Sequence, residues 1–327
     1  MRPVAGIRDT HSKRVCVGWT RSAHAACDQR LSTSAWAHRA HPIWLDHAAS
    51  AAASGRGSSF HSLAMSNPIK HHYIPQSILS RFCDAEGLLC TFNKQIGKRG
   101  KKRHPAGVCY EENLHTLIYE DEKFTGIESF YSQIEDKFLE ILKTVDDGLI
   151  NSIDIAPLQK QEEIYNILSL FLTLSFWRVP KRSDLAINAR SNLRKIYDRA
   201  PAENRGLIKY DRKLIRDIER KNASTSIKIA QFIALPALLA DAKNPSIRKC
   251  WFYPTEFNQA IADDPIVCDL DDNFMLAGEI YIPVGSRLCI TNSPNKISKL
   301  HEKMFSNAVR TIMASSEECF SILHKNG

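Results

Sequence analysis

The residues of this chain best suited to chemistry are His71 and His72, Glu128 and Glu135, Arg178, and Asp263 with Asp264 beside it. Imidazole and carboxylate together form a mixed nitrogen and oxygen donor set. Such sets hold a divalent metal (Mn²⁺, Mg²⁺ or Fe²⁺) and activate a water for hydrolysis. An arginine adds a planar fork that grips a phosphate or carboxylate. Metal ligands from His71 or His72, Glu128, Glu135 and Asp263, with general acid/base roles for the same groups and Arg178 holding an anion, would suit phosphodiester cleavage. For such a site to exist the side chains must converge; scattered beyond about 12 Å they could not share one metal or one reacting group.

Their spacing sets limits on how they can meet. Pro75 fixes its own φ and disfavours helix at Ile74, so Lys70–Gln76 is extended and the two histidines point to opposite faces. At most one of them therefore meets a given ligand. Glu128 and Glu135 are seven apart, about 20° short of two full helical turns, and share one line along a helix. Arg178 lies in Trp177-Arg178-Val179-Pro180, the C-terminal turn of a helix that Pro180 stops. Asp263-Asp264-Pro265 starts a turn. Each also has an ordinary structural reading. A histidine near Tyr-x-Pro can anchor its segment, the glutamates can pair with bases, Arg178 suits a helix C-terminus, and Asp-Asp-Pro is a common turn.

A second class of function rests on the basic run between Asn93 and His104. Lys98, Arg99, Lys101, Lys102 and Arg103 could reach phosphates, making the protein a non-catalytic module for nucleic acid or a protein partner. Only Phe92 and Tyr110 flank the run, so base stacking has little support. The run is otherwise a solvated hairpin connection. Net charge does not help this reading. Of the total +8, residues 1–64 supply +5 (eight Lys/Arg against three acids), leaving +3 on the rest.

The elements that must position these groups are mainly helical. Ile127, Tyr131, Ile134, Phe138, Ile141, Leu142 and Val145 recur at three and four, predicting an amphipathic helix over 124–145 whose margin carries both glutamates. Further helices are expected over 76–82, 158–179, 183–200, 211–242 with a kink or break at Pro236, and 297–314. Short strands are expected at 88–92, 250–253, 265–269, 279–283 and 287–291, with irregular chain from the basic loop to about Glu122. The fold class is α+β, mainly α-helical with a small C-terminal group of short β-strands.

No phosphate-binding G-x-x-x-x-G-K-[ST], G-x-S-x-G, H-E-x-x-H or G-x-G-x-x-G occurs. Arg99 and His104 have R-x4-H spacing, but in a Gly-containing loop. The cysteines from Cys83 onward show no C-x-x-C pair and read as thiols of a reducing compartment, which places the protein in the cytoplasm. The most apolar window, Ile164–Trp177, is about 14 residues long, too short to span a bilayer, so no membrane partner is expected. Residues 1–64 are Arg-rich, acid-poor and without period. They read as a disordered tail, an organelle transit peptide, or an extension upstream of the true start. The last is preferred, because composition switches at Met65, where a single domain over 65–327 begins.

His71-His72-Tyr73-Ile74-Pro75-Gln76 followed by Leu79 and Phe82, the Glu128/Glu135 pair, Trp177-Arg178-x-Pro180, and Asp263-Asp264-Pro265 followed by Ile282-Pro283 occur in that order. Over about residues 70–320 the chain resembles an uncharacterised bacterial and phage family that opens on a His-Tyr-Val-Pro-Gln signature. It departs from that pattern at Ile74, for Val, and at Asp264, for Asn. The resemblance implies no known activity; by association it suggests a mobile-element or phage-defence setting.

Overall fold

Proline and long-range pairing, more than periodicity, decide where the elements of this chain begin and end. The computed structural model describes residues 70–119, 122–124, 126–208, 210–221 and 223–324; the extension expected over residues 1–64 lies outside them. Strand β1 (Lys70–His72) runs up to Pro75, after which α1 (Gln76–Ser80) forms. Next, β2 (Cys90–Asn93) folds back through the basic run onto β3 (Lys98–Arg99), making that run a hairpin. Strand β4 (Tyr110–Glu112) pairs antiparallel with β1, His71 opposite Glu111 and His72 opposite Tyr110. A second hairpin, β5 (Leu117–Tyr119) with β6 (Glu122–Phe124), occupies chain expected to be irregular.

Helix α2 (Gly126–Ile150) buries Ile127, Tyr131, Ile134, Phe138, Ile141, Leu142 and Val145, the stripe its period requires. It packs on α3 (Glu162–Trp177), with Phe138 stacked on Phe171. Nearly every side chain of α3 from Ile164 to Trp177 is buried, so it is a core helix. Where period suggests one helix over 183–200, the chain forms α4 (Ser183–Arg190) and α5 (Leu193–Arg199), followed by α6 (Ala202–Ile208). Likewise 211–242 divides into α7 (Arg212–Arg220), α8 (Ser224–Ile229), a π turn at Ala230–Ala234 and α9 (Leu235–Leu239). The π turn ends two residues before Pro236, the position of the expected kink or break.

After α10 (Pro245–Arg248) come β7 (Trp251–Pro254), β8 (Ala260–Ala262), β9 (Val267–Leu270), β10 (Leu276–Gly285) and β11 (Leu288–Thr291). Helix α11 (Ile297–Asn307) then leads to β12 (Thr311–Ala314). One antiparallel sheet has the order β7-β11-β10-β9 and the other β3-β2-β12-β8. The fold is therefore mixed α+β, but the strands are not a single C-terminal group. Six of those described precede α2, and β12 inserts between β2 and β8. Leu300, Met304 and Phe305 of α11 pack under these sheets with Phe92, Ala262 and Ile312.

The helix expected over 297–314 stops early, and Asp263 accounts for it. Directly after β8, its carboxylate accepts N–H bonds from Val309 (2.8 Å), Arg310 (2.7 Å) and Thr311 (2.9 Å). Those amides are turned toward a fixed anion and cannot continue a helix; the chain goes extended and pairs as β12. Replacing this charged acceptor removes three hydrogen bonds at once. Asp263→Ala should cost at least about 3 kcal/mol in urea unfolding: bonds to a charged acceptor are worth roughly 1.5–3 kcal/mol each, and water reaching the freed amides recovers part of the sum.

Candidate functional site

Adjacent positions of β1 send their imidazoles into different surroundings. His71 is fully buried, and its ring lies parallel to that of His115, with centroids 5.4 Å apart. His72 is tilted against Tyr110, and its Nδ1 meets the Gln76 side-chain amide at 3.2 Å. His115, which neither period nor motif had marked, sits between β4 and β5 in a loop where Asn113 has φ +56°. Lys228 of α8 closes that loop, donating to the Asn113 and Thr116 carbonyls at 2.9 and 3.2 Å.

His115 joins the two neighbouring groups. Its backbone N–H donates to His71 Nδ1 at 2.8 Å, and its ring Nδ1 is hydrogen-bonded to the Glu128 carboxylate. His71, His115 and Glu128 each offer a ligand atom, and these lie within 4.8 Å of one another. Burial pushes the His115 imidazole down to about 4. Burial would raise the Glu128 carboxyl, but the His115 bond and the charges of His115, Arg178 and His71 outweigh it and hold the group low. Near neutral pH the pair is thus a neutral imidazole and a carboxylate. An ionised Glu128 only accepts, so His115 carries its proton on Nδ1 and a lone pair on Nε2, a buried atom with no hydrogen-bond partner among the described residues.

Glu128 also faces the wall of a cavity of about 280 Å³, lined by His72, Gln76, Glu128, Ser132, Glu135 and Arg178 among others. The α2 members recur at four and three, so one helix face forms that wall. Burial likewise lowers the His72 imidazole, only partly offset by the Ala106 backbone and Glu128. Arg178, 2% exposed, is ion-paired with Glu135, and its guanidinium lies 4.5 Å over the Tyr131 ring. The sequence-predicted residues thus fall into three places. His71 meets Glu128 beside His115; His72, Glu128, Glu135 and Arg178 share the cavity; Asp263 is outside both, holding the amides before β12. Asp264 is buried between Lys181 and Arg182, bonded to Arg182 at 2.9 and 3.0 Å.

The π turn supports this arrangement from behind. Pro236 has no N–H to donate to the carbonyl four residues back, that of Phe232, and the Tyr131 hydroxyl takes that acceptor at 2.8 Å. Tyr131 is thereby fixed beneath Arg178 and edge-on to His115, with centroids 5.0 Å apart. Gln231, in the same turn, donates to the Trp177 and Val179 carbonyls at 3.1 and 3.3 Å, satisfying the end of α3 around Arg178.

Two measurements check this account. Tyr131→Phe leaves the Phe232 carbonyl buried without its donor and should cost roughly 1–3 kcal/mol in chemical denaturation. Acid should destabilise the protein early. His115 and His301 both sit near 4 when folded, against an ordinary value of 6.5. Between those values the unfolded chain binds the extra protons, so stability is full above about 6.5 and falls as pH drops toward 4. At pH 5 the loss relative to pH 7 should be about 2 kcal/mol per histidine, and His301→Phe should remove one share of it.

No curated protein and no solved structure matches the chain. Among the described residues no helix is long and apolar enough to cross a membrane. The span from Lys70 to Glu318, which contains every side chain of the His71/His115/Glu128 group and of the cavity beside it, matches the model of one family, and the chain belongs to it: the protein family of unknown function DUF4238.

Proposed function

We propose that the protein is a metal-assisted hydrolase of anionic substrates, nuclease-like in its chemistry, working at the cavity between β1, α2 and the end of α3. The observation that carries this reading is the convergence of His71, His115 and Glu128 within 4.8 Å beside a cavity that also holds Arg178. Two imidazoles and a carboxylate suit a transition ion such as Fe²⁺ or Mn²⁺ better than Mg²⁺, which prefers oxygen. The donor chemistry fits. His115 is neutral well below pH 7 and has an unpartnered Nε2, while Glu128 is ionised and opens to the cavity. A bound ion would lower the pKa of a water there and generate the nucleophile. His72, held neutral by burial, serves as the general base within reach of the same space. Arg178, kept in place by Glu135 and Tyr131, holds the substrate anion and the charge that develops on it.

The test is metal content and turnover measured together on the full chain. Purified protein loaded with Mn²⁺ or Fe²⁺ and desalted should retain about one equivalent, and a chromogenic phosphodiester should be cleaved in a chelator-sensitive way. Glu128→Gln and His115→Ala should lose the ion with circular dichroism unchanged. Arg178→Lys should keep the ion while turnover drops by roughly tenfold or more, since an ammonium lacks the fork. Absence of retained metal in the folded parent would overturn the proposal.

A further inference from the structure

A larger cavity, about 510 Å³, lies between the β2–β3 hairpin, the Gly107–Glu111 segment, Val179–Lys181 and Val309–Thr311. Its volume falls in the range of small-molecule sites, roughly 300–1,000 Å³. The charge at its mouth separates it from an ordinary surface hollow. In the basic hairpin, Arg99 is paired with Glu317 and Lys102 with Asp84 and Glu86, and neither lines the cavity. Lys101 and Arg103 do line it, together with Arg310 from the opposite side, and among the described residues none of these three has a carboxylate partner. Two acids are present. Asp263 is 5% exposed with its oxygens bonded to three amides, and Glu111 stands on the wall. Three cations without a carboxylate partner among the described residues, against the two carboxylates Asp263 and Glu111, leave a net positive field in a concave, partly apolar space, which concentrates anions.

The back wall adds an independent observation. Cys109 has φ +52°, a left-handed conformation uncommon for a side chain other than Gly, Asn or Asp. It is held there by the Tyr73 N–H, which donates to its carbonyl at 2.9 Å. Backbone strain of this kind concentrates at ligand clamps, where surrounding structure over-determines it. Tyr73 and Tyr110 bring aromatic surface to the same wall. We infer that this cavity is a binding site for a phosphate monoester of nucleotide size, the phosphate held by Lys101, Arg103 and Arg310 and the organic body lying against Tyr73 and Tyr110. The site is separate from the proposed hydrolytic cavity and does not depend on it.

The probe is a fluorescent AMP analogue titrated with the full chain and followed by anisotropy at low salt. Saturable binding is expected, weakened at least tenfold in Arg103→Ala/Arg310→Ala. Both side chains are exposed, so the variant should fold. Arg99→Ala, which removes one charge from the same hairpin outside the cavity, should change binding less than twofold. Competition by AMP and by a 5′-phosphorylated oligothymidine, but not by adenosine or the unphosphorylated oligomer, is expected. The stronger of the two competitors distinguishes a free nucleotide from a strand end. Absence of saturable binding, equal displacement by adenosine, or equal loss in Arg99→Ala would each overturn the assignment.

Discussion

The arrangement around the candidate site depends on the neutralisation of one buried cation. A guanidinium as enclosed as that of Arg178 is costly unless its charge is met at close range, and breaking such a pair leaves the partner uncompensated. Glu135 meets the charge, the Tyr131 ring lies beneath it, and Gln231 takes up the loose carbonyls of the turn on which it sits. Arg178 ends α3 while these partners come from α2 and the π turn, so one charge fixes three elements in register. Burial is the main cause of the lowered His72 and His115 imidazoles nearby, and the same cation adds to it. Its charge disfavours charging of His72 and His115 and favours ionised Glu128, so neutral imidazoles and an anion coexist a few ångströms apart.

Two short segments build both cavities. His72 lines the smaller and Tyr73 the larger; Arg178 lines the smaller, and Val179, Pro180 and Lys181 the larger. Each segment is therefore a partition whose successive residues serve different chambers. The prolines that end both stretches, Pro75 and Pro180, stop the backbone from continuing as regular structure and spare it amides that would need partners. A chain that must present neighbouring side chains to separate spaces needs an extended or irregular backbone there, and proline enforces one.

Much of this was legible in the sequence because it follows from local periodicity. The α2 stripe, the alignment of Glu128 with Glu135, the stop at Pro180 and the break near Pro236 need only 3.6 residues per turn and the missing proline N–H. The rest was set by partners distant in the chain. His115 lies in a loop without period, after Glu111-Glu112-Asn113-Leu114, and nothing local singles it out. Asp263 looked like a ligand because its role as acceptor for amides more than forty residues away is invisible without the fold. For the same reason the end of the helix after Ile297 is not legible locally, since Val309–Thr311 are drawn into an extended course by that carboxylate and by pairing to β2 and β8.

Unsatisfied polar atoms point to where the protein has given up stability for something else. Native interiors leave few buried donors and acceptors without partners, and each such atom calls for a reason. Here His72 Nε2, His115 Nε2, Trp177 Nε1 and Arg178 Nε have no hydrogen-bond partner among the described residues, although the same region satisfies Tyr131, Gln231 and the last carbonyls of α3. A structural cluster would be expected to close its own hydrogen bonds, as Asp263 does with three amides. A site prepared for a ligand must keep some of them open, which is why the weight falls on the His72–Arg178 cavity and not on the equally polar turn at Asp263.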